Sequence, residues 1–252
     1  MSMLSGAVPI SVAFSGTVIG AGIGSICTAS LSKTKVGVLI AVAAGMMAGC
    51  ALVLFQECVS RSGVFGALSS GTAGLILMWS LDWSCTNMLS EEKFEFSGLS
   101  GHKAVRVFIM LASLIVHSVG EGLSLGLSAA DSSSTSAIVS ASLALHNIPE
   151  TAALLLSFRG KGVSQGAAVL LAVFSNLPQS IVALPAYSFF ASSSTLIEYG
   201  MGMSSTCMAY AVAVDVFPEA LHAIPRRSAI SIAAVASLVV IAFDLYSHSH
   251  IR

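Results

Sequence analysis

The residues of this chain best suited to chemistry are two histidines, each followed by a glutamate four residues on. They form the stretches His117-Ser118-Val119-Gly120-Glu121-Gly122 and His146-Asn147-Ile148-Pro149-Glu150, and each lies inside an apolar run. On an α-helix a four-residue spacing stacks both side chains on one face. Imidazole nitrogen and carboxylate oxygen are ligands for borderline divalent metals, with zinc the typical case. The two pairs begin 29 residues apart. That is about one helix, a short loop and the start of the next, so two adjacent helices can bring both pairs to one ion. Ser118 and Asn147 follow the histidines and share their faces. Pro149 has no N–H to give the carbonyl of Leu145, which frees an oxygen and allows a local bend beside the pair.

The elements that position these pairs are membrane spans. The chain has 252 residues, 55% of them hydrophobic and only 9% charged, and its mean hydropathy is +0.89. Soluble domains carry about 25% charged residues, so this is an all-α polytopic membrane protein. Its net charge of −1 gives no footing for nucleic acid. Apolar stretches place eight spans, at about 7–29, 36–59, 63–81, 104–129, 135–158, 163–190, 194–222 and 228–247. The polar connections, such as 32–35, Arg159-Gly-Lys-Gly and Pro225-Arg-Arg, leave no room for a soluble domain. The longest, about 82–103, holds Glu91, Glu92, Lys93 and Glu95. One transmembrane domain over 1–252 is expected. Gly16, Gly20 and Gly24 recur every four residues in the first span, a face for close helix contact.

Basic residues orient the spans. With eight spans, one side receives Lys33, Lys35, Lys93, Lys103, Arg106, Arg159, Lys161, Arg226 and Arg227; the other receives only Arg61 and Arg252. The nine mark the cytosol, so both termini are expected outside the cell or in a lumen. The membrane is a plasma membrane or an endomembrane.

Acidic residues inside the spans are Glu57, Glu121, Glu150, Asp215, Glu219 and Asp244, with no Lys or Arg deep in a span to neutralise them. Unpaired acids in lipid are expensive, so protons or a bound cation must compensate. This excess points to a cation path and away from an anion carrier. The sixth span adds Ser175-Asn176-Leu177-Pro178-Gln179, in which Gln179 offers a neutral oxygen ligand. Glu57, Asn176, Asp215 and Glu219 are expected along the path. The five cysteines are scattered without any C-x-x-C and are expected to pack in or near helices; with no thiolate expected in the site, Cu(I) is disfavoured. His248 and His250 form a two-histidine tail that carries little weight.

These residues resemble the ZIP (Zrt/Irt-like protein) family of zinc and iron transporters along nearly the whole chain. His146-Asn147-Ile148-Pro149-Glu150 fits the family's H-N-x-P-E pattern unchanged. The earlier stretch, from His117 to Gly122, fits it with Ser for Asn and Gly for Pro. Glu57 and Glu219 match the family's endings of helices two and seven. The start of helix four and the Leu-Pro-Gln of helix six are similar to a plant and protist branch. The resemblance implies eight helices with an inverted repeat relating helices 1–3 to 6–8 around helices 4–5. It implies a metal site between helices four and five with His117, Ser118, Glu121, His146, Asn147 and Glu150 as ligands. Gln179 stands where some relatives have a glutamate, which weakens a second, adjacent metal position. The family's His-rich loop between helices three and four is missing, with only His102 there.

The expected function is therefore transport of Zn²⁺, with Fe²⁺ or Mn²⁺ as alternatives, toward the cytosol. No cofactor is expected; the ion is the substrate, the lipid bilayer the surroundings, and a homodimer a candidate assembly. Two other classes compete. An intramembrane metal-dependent hydrolase needs a general base, as in H-E-x-x-H, but Ser and Asn follow the histidines here. A non-transporting metal sensor needs a signalling domain, which these spans leave no room for.

Overall fold

The computed structural model describes residues 3–30, 32–88, 94–131, 133–189 and 194–251. Glu91, Glu92, Lys93 and Arg252 lie outside the described residues, as do the side chains of His248 and His250. The helices are α1 (Met3–Ser30), α2 (Lys33–Met88), α3 (His102–Asp131), α4 (Ser133–Lys161), α5 (Gln165–Phe189), α6 (Ser194–Ala211), α7 (Phe217–Ala223) and α8 (Arg226–Ile251). A π turn, Val212–Val216, joins α6 to α7. Between α2 and α3 a two-stranded antiparallel hairpin, β1 (Glu95–Phe96) and β2 (Leu99–Ser100), replaces part of the expected loop.

Among the described residues, five helical stretches are long and apolar enough to cross a bilayer: Gly6–Thr28, Lys33–Asn87, His102–Leu123, Gln165–Ser188 and Arg226–Tyr246. The chain is a polytopic all-α membrane protein. Two expected spans, 135–158 and 194–222, miss that standard, and burial explains why. They fall on α4 and on α6–α7, whose buried residues include Ser140, His146, Asn147, Glu150 and Thr151, and Ser204, Ser205 and Asp215 respectively. Polar groups in a membrane protein face the bundle interior, so these rods carry the polar lining and lose apolar character.

The expected second and third spans run as one element, α2, of 56 residues. A straight helix of that length would be about 84 Å long, against a hydrocarbon core of about 30 Å. It is not straight. Gly63 has φ 72° and ψ 171°, a conformation that glycine adopts without the Cβ clash of other residues. Cys58 Sγ lies 3.7 Å from Ser70 Oγ, twelve residues on, where a continuous helix would separate them by about 18 Å. The chain therefore reverses at Gly63, and α2 has two arms.

Small residues set which rods touch. A Cβ on Gly16 would overlap the carbonyl oxygen of Ala144, and one on Gly20 that of Ile148; Gly24 faces Ala152. The expected glycine face of α1 is thus its seam with α4. Gly122 and Gly126 of α3 face Gln179 and Ala183 of α5. In the first arm of α2, Gly45 and Gly49 face Ala233 and Ser237 of α8; in the second, Gly74 faces Met203 and Thr206 of α6. A buried core of Met47, Met110, Leu114, Leu154, Phe158 and Met208 fills one end of the bundle.

Candidate metal centre

Both His–Glu pairs lie midway along buried helices, and the structure brings them together. His117 Nε2 is 3.1 Å from Glu121 Oε1; His146 Nε2 is 3.0 Å from the same oxygen and 3.1 Å from Glu150 Oε2. One ligand atom from each of the four falls within 4.8 Å of all the others. Glu121 therefore links the two histidines, and Glu150 closes the set from one helical turn beyond His146. All four are buried, with exposures between 0% and 4%. Ligands held about 2.0–2.1 Å from a tetrahedral zinc stand about 3.3–3.4 Å apart. The three closest spacings are shorter by only a few tenths of an ångström and the others lie within 4.8 Å, so side-chain rotations would admit an ion.

The polar atoms of the quartet are poorly satisfied. Both ring nitrogens of His146, His117 Nε2, Glu121 Oε2 and both carboxylate oxygens of Glu150 are buried without a well-formed hydrogen bond. Buried polar atoms are nearly always paired. Unpaired acceptors converging on one point, without a Lys or Arg in the set, are what a divalent cation would complete.

The surrounding side chains hold the quartet in place. Ser204 of α6 places Oγ 3.1 Å from His117 Nδ1 and also donates to the His117 carbonyl at 3.2 Å. The Ser204 carbonyl is 3.3 Å from the same ring nitrogen. A proton on Nδ1 leaves Nε2 with its lone pair toward Glu121, the outer-partner arrangement common at metal-binding histidines. Gly120 makes this possible, because a Cβ there would strike the Ser204 side chain. Asn147 Nδ2 donates to the Ala13 carbonyl of α1 at 3.1 Å and to Gln179 Oε1 at 2.9 Å.

The remaining expected residues divide into three groups. Ser118 donates to the Ser175 carbonyl at 2.7 Å, tying α3 to α5. Asn147, Asn176 and Gln179 form a buried amide layer beside the quartet: Asn176 donates to Thr151 Oγ1 at 3.2 Å, while Asn147 Oδ1, Asn176 Oδ1 and Gln179 Nε2 lack partners. The third group lies at helix ends, away from the quartet. Glu57 pairs with Arg61 at 2.7 Å, and Lys161 at the end of α4 donates to Glu219 on α7. Asp215 sits buried on the π turn within electrostatic reach of Arg106, Lys161, Asp82 and Glu219. Glu57 and Glu219 thus have basic partners, because both lie at rod ends that a loop-side Arg or Lys can reach.

Two neighbours of the site escape sequence reasoning. Ser204 sits in the small-residue run Gly200-Met-Gly-Met-Ser-Ser-Thr, whose periodicity reads as packing. Cys50 of α2 is an electrostatic neighbour of the His146 ring. Cys50 reads in the sequence as one more small residue of an apolar run.

The chain is similar to an Arabidopsis thaliana protein named "putative zinc transporter". The two are 28% identical over 214 residues, which is 82% of this chain and 34% of the relative. The chain thus spans about a third of the length of the curated relative it matches. No family model matches the chain.

Proposed function

We propose that this chain is a ZIP-type transporter that carries Zn²⁺, with Fe²⁺ or Mn²⁺ as further substrates, across a membrane toward the cytosol. The observation that carries the reading is the buried quartet His117, Glu121, His146 and Glu150, whose converging atoms lack other partners. The likeness to the plant protein supports it, as does the membrane architecture. Two imidazoles and two carboxylates suit a borderline divalent ion. Two carboxylates without a basic partner also need about two positive charges before they rest at membrane depth, and a divalent ion supplies them. Ser118, Asn147 and Gln179 complete the proposed metal surroundings; Asn176 lines the path, with Asp215 and Glu219 toward its cytosolic end and Glu57 toward the opposite one.

We read the 252 residues as one transmembrane domain of eight spans, counting each arm of α2 as one and α6 with α7 as one. The packing supports that count. In each of the four glycine seams (α1 with α4, the first arm of α2 with α8, its second arm with α6, and α3 with α5) contact positions rise together along both partners. Parallel partners must cross in the same direction, and alternating eight spans gives each of these pairs one direction. The seams also match under an inverted repeat. Exchanging spans 1–3 for 6–8, and 4 for 5, turns the α1–α4 seam into α5–α3 and the first-arm–α8 seam into the α6–second-arm seam. Such repeats accompany alternating access. Both termini then face outside or a lumen.

The test is zinc uptake by the purified chain in proteoliposomes. Saturable uptake by the wild type that disappears in Glu150→Ala supports the reading. Wild-type kinetics in a well-folded Glu150→Ala protein would overturn it, and cleavage of a peptide or lipid without uptake would favour a hydrolase.

A further inference from the structure

Two ion pairs tie the ends of the quartet-bearing helices to rods that carry no quartet residue. Arg106 on α3 donates through Nη1 to Asp82 Oδ1 on the second arm of α2 at 3.3 Å, and Tyr210 of α6 donates to Asp82 Oδ2 at 3.2 Å. Lys161 on α4 donates to Glu219 on α7. Arg106 stands eleven residues before His117, and Lys161 eleven residues after Glu150. α3 ends at Asp131, α4 begins at Ser133, and the two meet again where Glu121 touches His146, so they run antiparallel. Both bases therefore sit at one end, about 16 Å of helix from the quartet. The residues between repeat one pattern. Met110 and Leu114 on α3, and Leu154 and Phe158 on α4, fall at three- and four-residue steps on the stripe that joins the base to its ligand. All four are fully buried, and Met47 and Met208 pack with them. An ion leaving by this end meets an apolar layer and then the two ion pairs.

Resting on the reading of the quartet as the transport site, we propose that Arg106–Asp82 and Lys161–Glu219 form an ionic latch. They hold the cytosolic ends of α3 and α4 against α2 and α7, and both open in each transport cycle to let the ion out. The apolar layer is closed, so a path through it requires the ends of α3 and α4 to part from the other rods. The two pairs span that division. Glu219 cannot serve a leaving ion while Lys161 holds it. The pairs suit a reversible closure because each is partly exposed, with side-chain exposures from 18% to 37%. Partly exposed ion pairs contribute little stability, so loss of one tilts the balance of closed and open forms without unfolding the bundle. Arg106 and Lys161 are thus positioning residues, which act on the ion's route through the helices that carry its ligands.

The experiment places a Leu154→Cys reporter in the apolar layer of the full chain, in sealed inside-out vesicles. It measures modification of that thiol by a membrane-impermeant maleimide, with the chain lacking the reporter as the blank for the native cysteines. Asp82→Asn and Glu219→Gln should each speed modification about two- to fivefold, the shift that loss of one partly exposed pair produces. The swapped pairs, Arg106→Asp with Asp82→Arg and Lys161→Glu with Glu219→Lys, should return it to the rate of the unswapped chain. Lys35→Gln, which removes an exposed basic residue expected on the same side, should leave the rate unchanged. Lys161→Arg keeps the charge and must also leave it unchanged, whether or not the swapped chains fold. Single variants without faster modification, swapped pairs as fast as the single variants, or a faster rate in Lys35→Gln or Lys161→Arg would overturn the latch. Zinc uptake that depends on Glu150, with modification rates insensitive to the pairs, would remove the latch and leave the quartet standing. Uptake that persists in Glu150→Ala would remove the transport reading and the latch with it.

Discussion

Ser204 holds His117 from the side opposite Glu121: its hydroxyl is 3.1 Å from Nδ1, while Nε2 lies 3.1 Å from the Glu121 carboxylate. The serine comes from α6 and the carboxylate from α3, so one imidazole is fixed between two rods. Any displacement of α6 along α3 must therefore reorient a proposed ligand.

The first prediction tests that coupling. Ser204→Ala removes the hydroxyl contact and leaves the small volume that Gly120 requires. Loss of such an outer partner typically lowers metal affinity about 10–100-fold. Zinc affinity of the purified variant should fall by about that factor, with its melting temperature near wild type. An affinity equal to wild type would show that the Ser204 contact does not orient His117 for an ion.

The second prediction separates the two carboxylates. Glu121 Oε1 touches both histidines, whereas Glu150 touches only His146. In Glu121→Gln the amide can still meet the imidazoles but has lost its charge. That variant and Glu150→Gln should each abolish saturable zinc uptake. The apo protein should keep or gain stability, because a buried carboxylate with no metal, Lys or Arg beside it costs several times more than an amide. Thermal melts in the absence of metal check this; a lower melting temperature in both variants would mean that the carboxylates serve structure and not ion binding.

Much of this arrangement is legible in the sequence. The i, i+4 spacing of His117–Glu121 and His146–Glu150 forces each pair onto one helix face, and the apolar runs around them force burial. The Gly16, Gly20 and Gly24 series announces a close seam. What the sequence leaves open is which rod fills that seam, because glycine spacing carries no name for its partner. The reversal at Gly63 falls between two apolar runs and is anticipated as a boundary, but the helix persists so close to the turn that both arms form one element. The helical extents of α4 and α6–α7 are anticipated, while their reduced apolarity follows only from burial in the bundle. Ser204 and Cys50 are invisible because small residues in apolar runs are usually packing residues; their proximity to the site arises from helix pairings that link positions far apart in the chain.

A third prediction concerns the α1–α4 seam. A side chain at Gly20 would collide with the Ile148 carbonyl and the Thr151 side chain, next to Asn147 and Glu150. Gly20→Leu should push the rods apart and lower the melting temperature, by an amount corresponding to the roughly 1–3 kcal/mol typical of overpacking. Gly22, one of the neighbouring glycines, meets nothing within 4 Å, so Gly22→Leu serves as the control and should melt like wild type. Equal melting of the two variants would argue that the seam is loose.

The fourth prediction is topological. A tag inserted after Ser132 should be reachable from outside intact cells or from a lumen, and one after Lys161 should not. The nine-to-two distribution of basic residues motivates it, and the parallel seams require the two connections flanking α4 to lie on opposite sides. Opposite accessibility, or equal accessibility of both tags, would overturn the eight-span count.

The last prediction addresses the amide layer. Gln179 accepts from Asn147 Nδ2 at 2.9 Å through Oε1, while its own Nε2 has no partner. Replacing the amide by a carboxylate therefore keeps the accepting oxygen and removes no donor contact. Gln179→Glu adds a charged oxygen ligand beside Asn147, where the family resemblance implies a second metal position. Zinc binding by the purified variant should tighten at neutral pH and its stoichiometry should rise, while uptake into proteoliposomes slows because release becomes harder. The binding isotherm and the uptake rate are measured on the same preparation. Unchanged affinity and stoichiometry would place Gln179 outside the metal surroundings and confine the ion to His117, Glu121, His146 and Glu150.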